Sequence, residues 1–182
     1  MKSFQQILLG CLEIPLFMRK GVERFPGDKK SAILSFLVPL GLLIPLSFMA
    51  QVNPDLATQS TIQSFVRFLE LFVLTSVLFY TISYFCIQAL DRGGEYFRFI
   101  SGLNWLNLSF FLINLPFLIL VYYHIYSFAE MQNLLIFLTL FAVVCNAFFT
   151  TYILRINWML ATSLSIMSLL IEDSIQKAIM AI

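Results

Sequence analysis

The chain has 182 residues, of which 60% are hydrophobic and 12% are charged, and its net charge is only +1. Its mean hydropathy of +0.89 lies far from the balance of a soluble domain, so the sequence predicts an integral membrane protein. The length suffices for about four to six spans but excludes an added soluble domain of ordinary size.

The first predicted element is a short amphipathic helix at the N-terminus. Pro15 ends its pattern, and basic residues follow. The helix either lies on the cytoplasmic surface of the bilayer, near anionic headgroups, or packs against the protein's own helices; both interpretations stay open. Its apolar stripe has the spacing i, i+3, i+4, i+7 and i+8 and consists of Phe4, Ile7, Leu8, Cys11 and Leu12.

Charged residues divide the rest of the chain into five uncharged stretches of 16 to 31 residues. A helix needs about 20 residues to cross ~30 Å of hydrocarbon, so each stretch predicts one span. The weakest boundary separates the last two spans, where only Arg155 and Asn157 mark a turn. We therefore predict an all-α polytopic membrane helix bundle with five transmembrane helices, over about 32–51, 64–90, 100–123, 132–153 and 156–175.

The distribution of Lys and Arg predicts the orientation of these spans. Nine of the eleven basic residues fall on the side that includes the N-terminus, and only Arg67 and Lys177 fall on the other. The positive-inside rule therefore predicts a cytoplasmic N-terminus and an external C-terminus. The chain then divides into a cytoplasmic segment, 1–30, which contains the amphipathic helix, and a transmembrane helical domain, 31–182.

Four asparagines within the apolar spans are the candidate site: Asn104, Asn107, Asn114 and Asn146. Asn107 and Asn114 are seven residues apart and share one face of the third span, which we expect to point into the bundle because an unpaired amide in hydrocarbon is costly. We expect the third and fourth spans to pack together with Asn107 and Asn146 at similar depth. Asn114 is expected to meet another helix or the carbonyl of Leu112 that Pro116 frees.

The search for chemistry is mostly negative. No Asp or Glu falls in the central part of a predicted span, and no nucleophile has a paired base. His124 stands among tyrosines at the outer end of the third span, which is typical of an interfacial aromatic belt rather than of a metal site. The three cysteines indicate packing residues rather than disulfides. We predict no enzyme activity, no cofactor and no metal.

Three stretches carry a resemblance: "GVERFPGDKKSAILSFLVPLGLLIPL", "EYFRFISGLNWLNL" and "YILRINWMLATSLSI". They resemble the first-span, third-span and last-helix segments of the bacterial branch of the Yip-type superfamily, named for Ypt-interacting proteins. The resemblance implies five spans, a cytoplasmic N-terminus and a bacterial inner membrane. Eukaryotic members are linked to vesicle traffic and small GTPases.

Two function classes follow. The preferred one is a non-enzymatic membrane protein that binds membrane-protein partners or organises the bilayer, because the spans lack buried charge and the N-terminal helix suits a surface. The alternative is a small transporter or channel component with a path lined by asparagines of the third span, since Pro39, Pro45 and Pro116 predict kinked helices. We expect the lipid bilayer and a membrane protein or second copy of the chain as partners, and no nucleic acid.

Overall fold

A computed structural model describes residues 3–49 and 60–180. Within these ranges the structure contains eight α-helices and no strand, which confirms the all-α class. The last residues of the predicted first span, 50 and 51, lie outside the described residues, as does Lys2 of the charge count. The helices are α1 (Phe4–Glu13), α2 (Arg19–Glu23), α3 (Lys29–Ser35), α4 (Leu37–Met49), α5 (Thr61–Ala89), α6 (Tyr96–Tyr122), α7 (Phe128–Leu154) and α8 (Trp158–Met180).

Five segments of the described residues are long and apolar enough to cross a membrane, as predicted. Four of them begin earlier than expected, and in two of these four, α5 and α7, a polar capping box precedes the apolar run. Ser60 pairs with Gln63 at the start of α5, and Ser127 pairs with Glu130 at the start of α7. The spans are Lys29–Met49, Thr61–Ala89, Gly93–Tyr122, Phe128–Leu154 and Trp158–Ile179.

The first span is divided into α3 and α4 at Phe36. Pro39 has no N–H to donate to the carbonyl of Ser35, four residues earlier, and the Phe36 N–H bonds to Ile33, as in a tighter helical turn. Pro45 and Pro116 lie inside α4 and α6 without ending them. The break therefore falls one turn before Pro39.

The uncertain boundary at Arg155 is confirmed. Arg155 adopts a left-handed conformation with φ 54° and ψ 45° and ends α7. The Asn157 side chain then accepts a hydrogen bond from the Met159 N–H at 2.9 Å and caps the start of α8. An arginine and an asparagine thus make this turn without glycine or proline.

The five spans form a closed ring. α4 packs on α5, α5 on α8, α8 on α7, α7 on α6, and α6 on α4. Outside this ring α1 packs on α6 and α2 packs on α7, so the two short helices bridge one pair of spans. We call residues 3–28 the N-terminal hairpin.

Candidate functional site

The ring of spans surrounds a cavity of about 670 Å³, which is lined by residues of all five spans. Of the 27 residues that line it, 15 are aliphatic or aromatic and 12 are polar. All four predicted asparagines line it: Asn104, Asn107, Asn114 and Asn146. The cavity therefore combines an apolar wall with amides at several heights.

Asn104 is fully engaged in hydrogen bonds between spans. It is 1% exposed, it accepts from the Tyr80 hydroxyl at 2.8 Å, and it donates to the Ser35 hydroxyl at 3.0 Å. The Ser35 hydroxyl donates in turn to the Ala32 carbonyl, and Tyr96 donates to the Tyr80 carbonyl. These bonds join α3, α5 and α6, so the amide of Asn104 holds the ring together.

Asn114 bonds within its own helix. Its amide donates to the Phe110 carbonyl at 2.7 Å. The prediction that Asn114 bonds to the carbonyl of Leu112 or to another helix is therefore wrong. A carbonyl four residues back lies on the same face of the helix and within reach of a short side chain. Asn114 also lines the cavity.

Asn107 and Asn146 differ from the other two asparagines. Neither makes a hydrogen bond to any residue that the structure describes, and both line the cavity. The Thr75 hydroxyl, also on the cavity wall, is buried and has no partner among residues 3–49 and 60–180. An unpaired amide or hydroxyl in a membrane interior is costly, so these groups are available to a molecule that enters the cavity.

The last span contributes polar groups that the sequence prediction missed. Ser165, Ser168, Glu172 and Gln176 all line the cavity. Their spacing of three, four and four residues puts them on one face of α8, and this polar stripe was the signal that could have found them. The predicted span ended at 175 and left Glu172 near its edge, whereas α8 continues to Met180.

The predicted stripe of α1 divides between two sides of the helix. Ile7 and Cys11 are buried, Leu8 is half-buried, and Phe4 and Leu12 are 62% and 65% exposed. The buried side packs on α6, and the exposed side faces outward beside Leu9. Packing on the protein's own helices therefore holds for the buried side, and the bilayer-surface interpretation of the exposed side stays a prediction.

Backbone contacts fix the height of the hairpin along the spans. The Ser109 hydroxyl donates to the Cys11 carbonyl at 2.8 Å, and the Cys11 thiol donates to the Trp105 carbonyl at 3.4 Å. Ser109 is 11 residues beyond Arg98, or ~16 Å along α6, which is about half of a ~30 Å hydrocarbon core. Burial raises the pKa of the Cys11 thiol to about 11, which keeps it a neutral donor.

The turn of the hairpin reaches a similar height on α7. Phe17, which has a φ of 55°, packs edge-to-face on Phe141 and Phe148. The Arg19 guanidinium lies over the Tyr152 ring, 4.6 Å from its centroid. The hairpin therefore extends along the spans instead of lying only at the level of the headgroups.

The two arms of the hairpin are joined by charge and by close packing. The Arg24 guanidinium donates two hydrogen bonds to the Glu13 carboxylate, at 2.5 and 2.6 Å. This bidentate contact lowers the pKa of Glu13 and raises that of Arg24. Gly10 and Gly21 allow the arms to approach, because a Cβ on Gly21 would lie 2.9 Å from the Glu13 Cβ.

Other candidates for chemistry lie apart from the cavity. His124 is exposed in the turn after α6, and the described residues contain no group of three or more metal-ligating side chains. Cys11 and Cys145 are buried and Cys86 is half-buried, and all three are free thiols.

Comparisons with protein-family models, curated proteins and solved structures find no match. The resemblance to Yip-type proteins therefore stays a prediction from the sequence. The observations that bear on function are the cavity and the hairpin.

Proposed function

We propose that the protein is a non-enzymatic integral membrane protein that holds a small amphipathic molecule in the cavity between its five spans, as a carrier does. One observation supports this most directly. Asn107 and Asn146 present amides without partners among the described residues to a cavity of about 670 Å³. A bundle held only by packing would turn such groups toward each other or toward a backbone carbonyl, as Asn104 and Asn114 do.

The dimensions of the cavity fit a ligand of moderate size. Sites for small molecules typically enclose about 300–1,000 Å³, with mostly apolar walls and a few polar groups that orient the ligand. Along α6 the cavity extends from Phe99 to Leu118, which are 19 residues or ~28 Å apart. This long, narrow shape favours an extended amphiphile over a compact solute.

A second candidate is binding of a membrane-protein partner or organisation of the bilayer by the hairpin. Its outward side carries exposed apolar residues next to the exposed cations Arg19 and Lys20. That combination suits acyl chains next to anionic headgroups, or the lipid-facing side of another membrane protein. The exposed apolar residues are Phe4, Leu9, Leu12, Leu16, Phe17 and Met18.

The location and orientation belong to the same proposal. The charge distribution supports a cytoplasmic N-terminus, and the Yip-type resemblance supports a bacterial inner membrane. On this orientation the hairpin occupies the cytoplasmic half of the bilayer, because it contacts the halves of α6 and α7 nearest Arg98 and Arg155.

Analysis of what purifies with the protein tests the proposal. The wild-type protein, purified in a mild detergent, is examined intact by native mass spectrometry, and its organic extract is analysed for small molecules. We expect one molecule per chain, and we expect the double variant Asn107→Leu, Asn146→Leu to lose it. The matched control is Ser163→Leu, because Ser163 is an exposed polar residue of α8 outside the cavity wall.

Two outcomes would overturn the proposal. Retention of the same molecule by the double variant would place it elsewhere on the protein. A stoichiometric protein partner without any small molecule would support the second candidate instead.

A further inference from the structure

Glu172 is the charged residue of the cavity wall. It is the fifteenth of the 23 residues of α8, and no basic residue stands among the described residues that line the cavity. It takes part in no hydrogen bond or ion pair with the part of the chain that the structure describes. Its neighbour Asp173, outside the wall, is paired with Lys177 at 2.7 Å.

The Glu172 side chain is exposed, and it lies on the cavity wall within a membrane-spanning segment. Ionisable residues inside a membrane bundle pair with each other or with what passes through. The wall supplies no cation, so a bound molecule is the available source of a counter-charge. A divalent metal ion suits the site poorly, because it prefers several oxygen ligands and Glu172 is the one carboxylate among the described lining residues.

The aromatic wall adds a second feature that favours an organic cation. Phe72, Phe79, Phe110 and Phe111 line the cavity together with Tyr80. Ring faces attract ammonium groups, and the attraction grows when water is excluded.

The open amides lie at a different height from Glu172. Asn146 is nine residues before Arg155 and Ser165 is eight residues after Asn157, so the antiparallel α7 and α8 bring them to similar heights. Glu172 lies seven residues beyond Ser165, or ~10 Å along α8. The cavity thus presents an anionic group and, ~10 Å away, hydrogen-bonding amides.

We propose that the ligand is an elongated amphipathic amine, whose positive charge pairs with Glu172 and whose second polar group bonds to Asn107 and Asn146. This inference rests on the proposed function, because it names the chemical class that the cavity binds.

Two matched probes test the charge of the ligand. Binding of 8-amino-1-octanol and of 1,8-octanediol to the full-length protein is measured by calorimetry in a neutral detergent near pH 7. Both molecules have an eight-carbon chain with a hydroxyl at one end. The other end is an ammonium group in the first molecule and a hydroxyl in the second. We expect the amine to bind about tenfold tighter or more, the scale of a hydrogen bond between charged groups.

Variants at adjacent positions identify the carboxylate responsible. Glu172→Gln keeps the shape of the side chain and should make the two probes bind alike. Asp173→Asn removes the neighbouring carboxylate, which faces Lys177, and should keep the preference for the amine. If Glu172→Gln does not fold, the two probes on the wild-type protein still decide whether a cation is preferred.

The remaining outcomes separate this inference from the proposed function. Equal binding of both probes to the wild-type protein would overturn the amine and leave an amphiphile site. Binding of neither probe would overturn both proposals. A heat from sodium chloride alone that disappears in Glu172→Gln would make the site one for an inorganic cation and overturn the inference.

Discussion

The N-terminal hairpin pairs its polar groups, whereas the central cavity leaves some of its polar groups unpaired. In the hairpin, the Glu13 carboxylate is paired with Arg24, and the Cys11 carbonyl accepts from Ser109. On the cavity wall Asn107, Asn146 and Glu172 have no such partners among the described residues. A polar group satisfied by its neighbours holds a structure together, whereas one left open at the same depth remains available to a ligand.

The largest expected effect concerns the sides of the membrane on which these two regions lie. A reporter that is active only outside the cytoplasm should be silent after Gly94 and active after Phe128 or at the C-terminus, because basic residues stay inside. This all-or-none result would place the hairpin near the cytoplasm and Glu172 in the outer half. An inactive C-terminal fusion of a correctly inserted protein would contradict the external C-terminus and, with it, the position of Glu172 in the outer half of the membrane.

A substitution at Gly102 tests the contact that supports both regions. Gly102 is buried on α6, and a Cβ there would overlap the ring of Phe149, which itself packs on Phe25 of the hairpin. We expect Gly102→Ala to lower the free energy of unfolding by about 1–3 kcal/mol, measured by thermal unfolding in detergent.

The control for this substitution is Gly41→Ala. Gly41 lies inside α4 and has open space where a Cβ would stand. Alanine there should leave the stability unchanged or raise it by up to about 1 kcal/mol, since glycine disfavours a helix interior. Equal losses for the two variants would show that the α6–α7 contact is not tight.

Two asparagines on one helix test the difference between paired and open amides. Asn104→Leu removes bonds to Tyr80 and Ser35 and should destabilise the protein by about 1–2 kcal/mol. Asn107→Leu removes no bond to the described residues and should change the stability by less than about 0.5 kcal/mol. Denaturant titrations of both variants measure this, and a large loss for Asn107→Leu would mean that Asn107 is structural.

The smallest expected effect is the response of the hairpin to acid. The pKa of Glu13 is lowered in the folded protein, mainly by its hydrogen bonds to Arg24, from an ordinary value of 4.5. The ion pair therefore stabilises the hairpin above that value, and the contribution is lost as the pH falls through the lowered pKa. Trp105, which packs on Phe4 of α1, should change its fluorescence in this range, with Trp158→Phe as the background.

Glu13→Gln is the control for the acid response. It removes the titrating group, so the change in Trp105 fluorescence below pH 4.5 should disappear. A change of the same size in this variant would assign the acid response to another group.

The sequence was sufficient to predict the all-α class and the five spans, but not α2 or the division of the first span at Phe36. Spacing between charged residues predicted five spans, because the thickness of the hydrocarbon sets the length of each helix. It also predicted the turn at Arg155, which the chain makes by a left-handed backbone conformation. The capping boxes at Ser60 and Ser127 shifted two helix starts, since capping depends on side-chain geometry that the charge spacing does not include.

The site was only partly predictable from the sequence. Each asparagine was found, but the sequence does not reveal that Asn104 has partners on two neighbouring spans while Asn107 has none among the described residues, because this depends on which helices become neighbours. Glu172 was missed because the charge spacing puts it near the end of the predicted last span at 175, whereas α8 continues to Met180. The two sides of α1 differ because one of them, which includes Cys11, packs on α6, a contact that no local pattern encodes.

The place of α8 in the ring has a consequence for how the protein is made. α8 closes the ring between α5 and α7, and it leaves the ribosome after the other four spans of the ring. Until α8 inserts, the cavity has no α8 side, and Thr75 of α5 and Asn146 of α7 are open to lipid or to the insertion machinery. We therefore expect a chain truncated after Arg155 to be degraded faster than the full-length chain, as measured by a pulse-chase experiment.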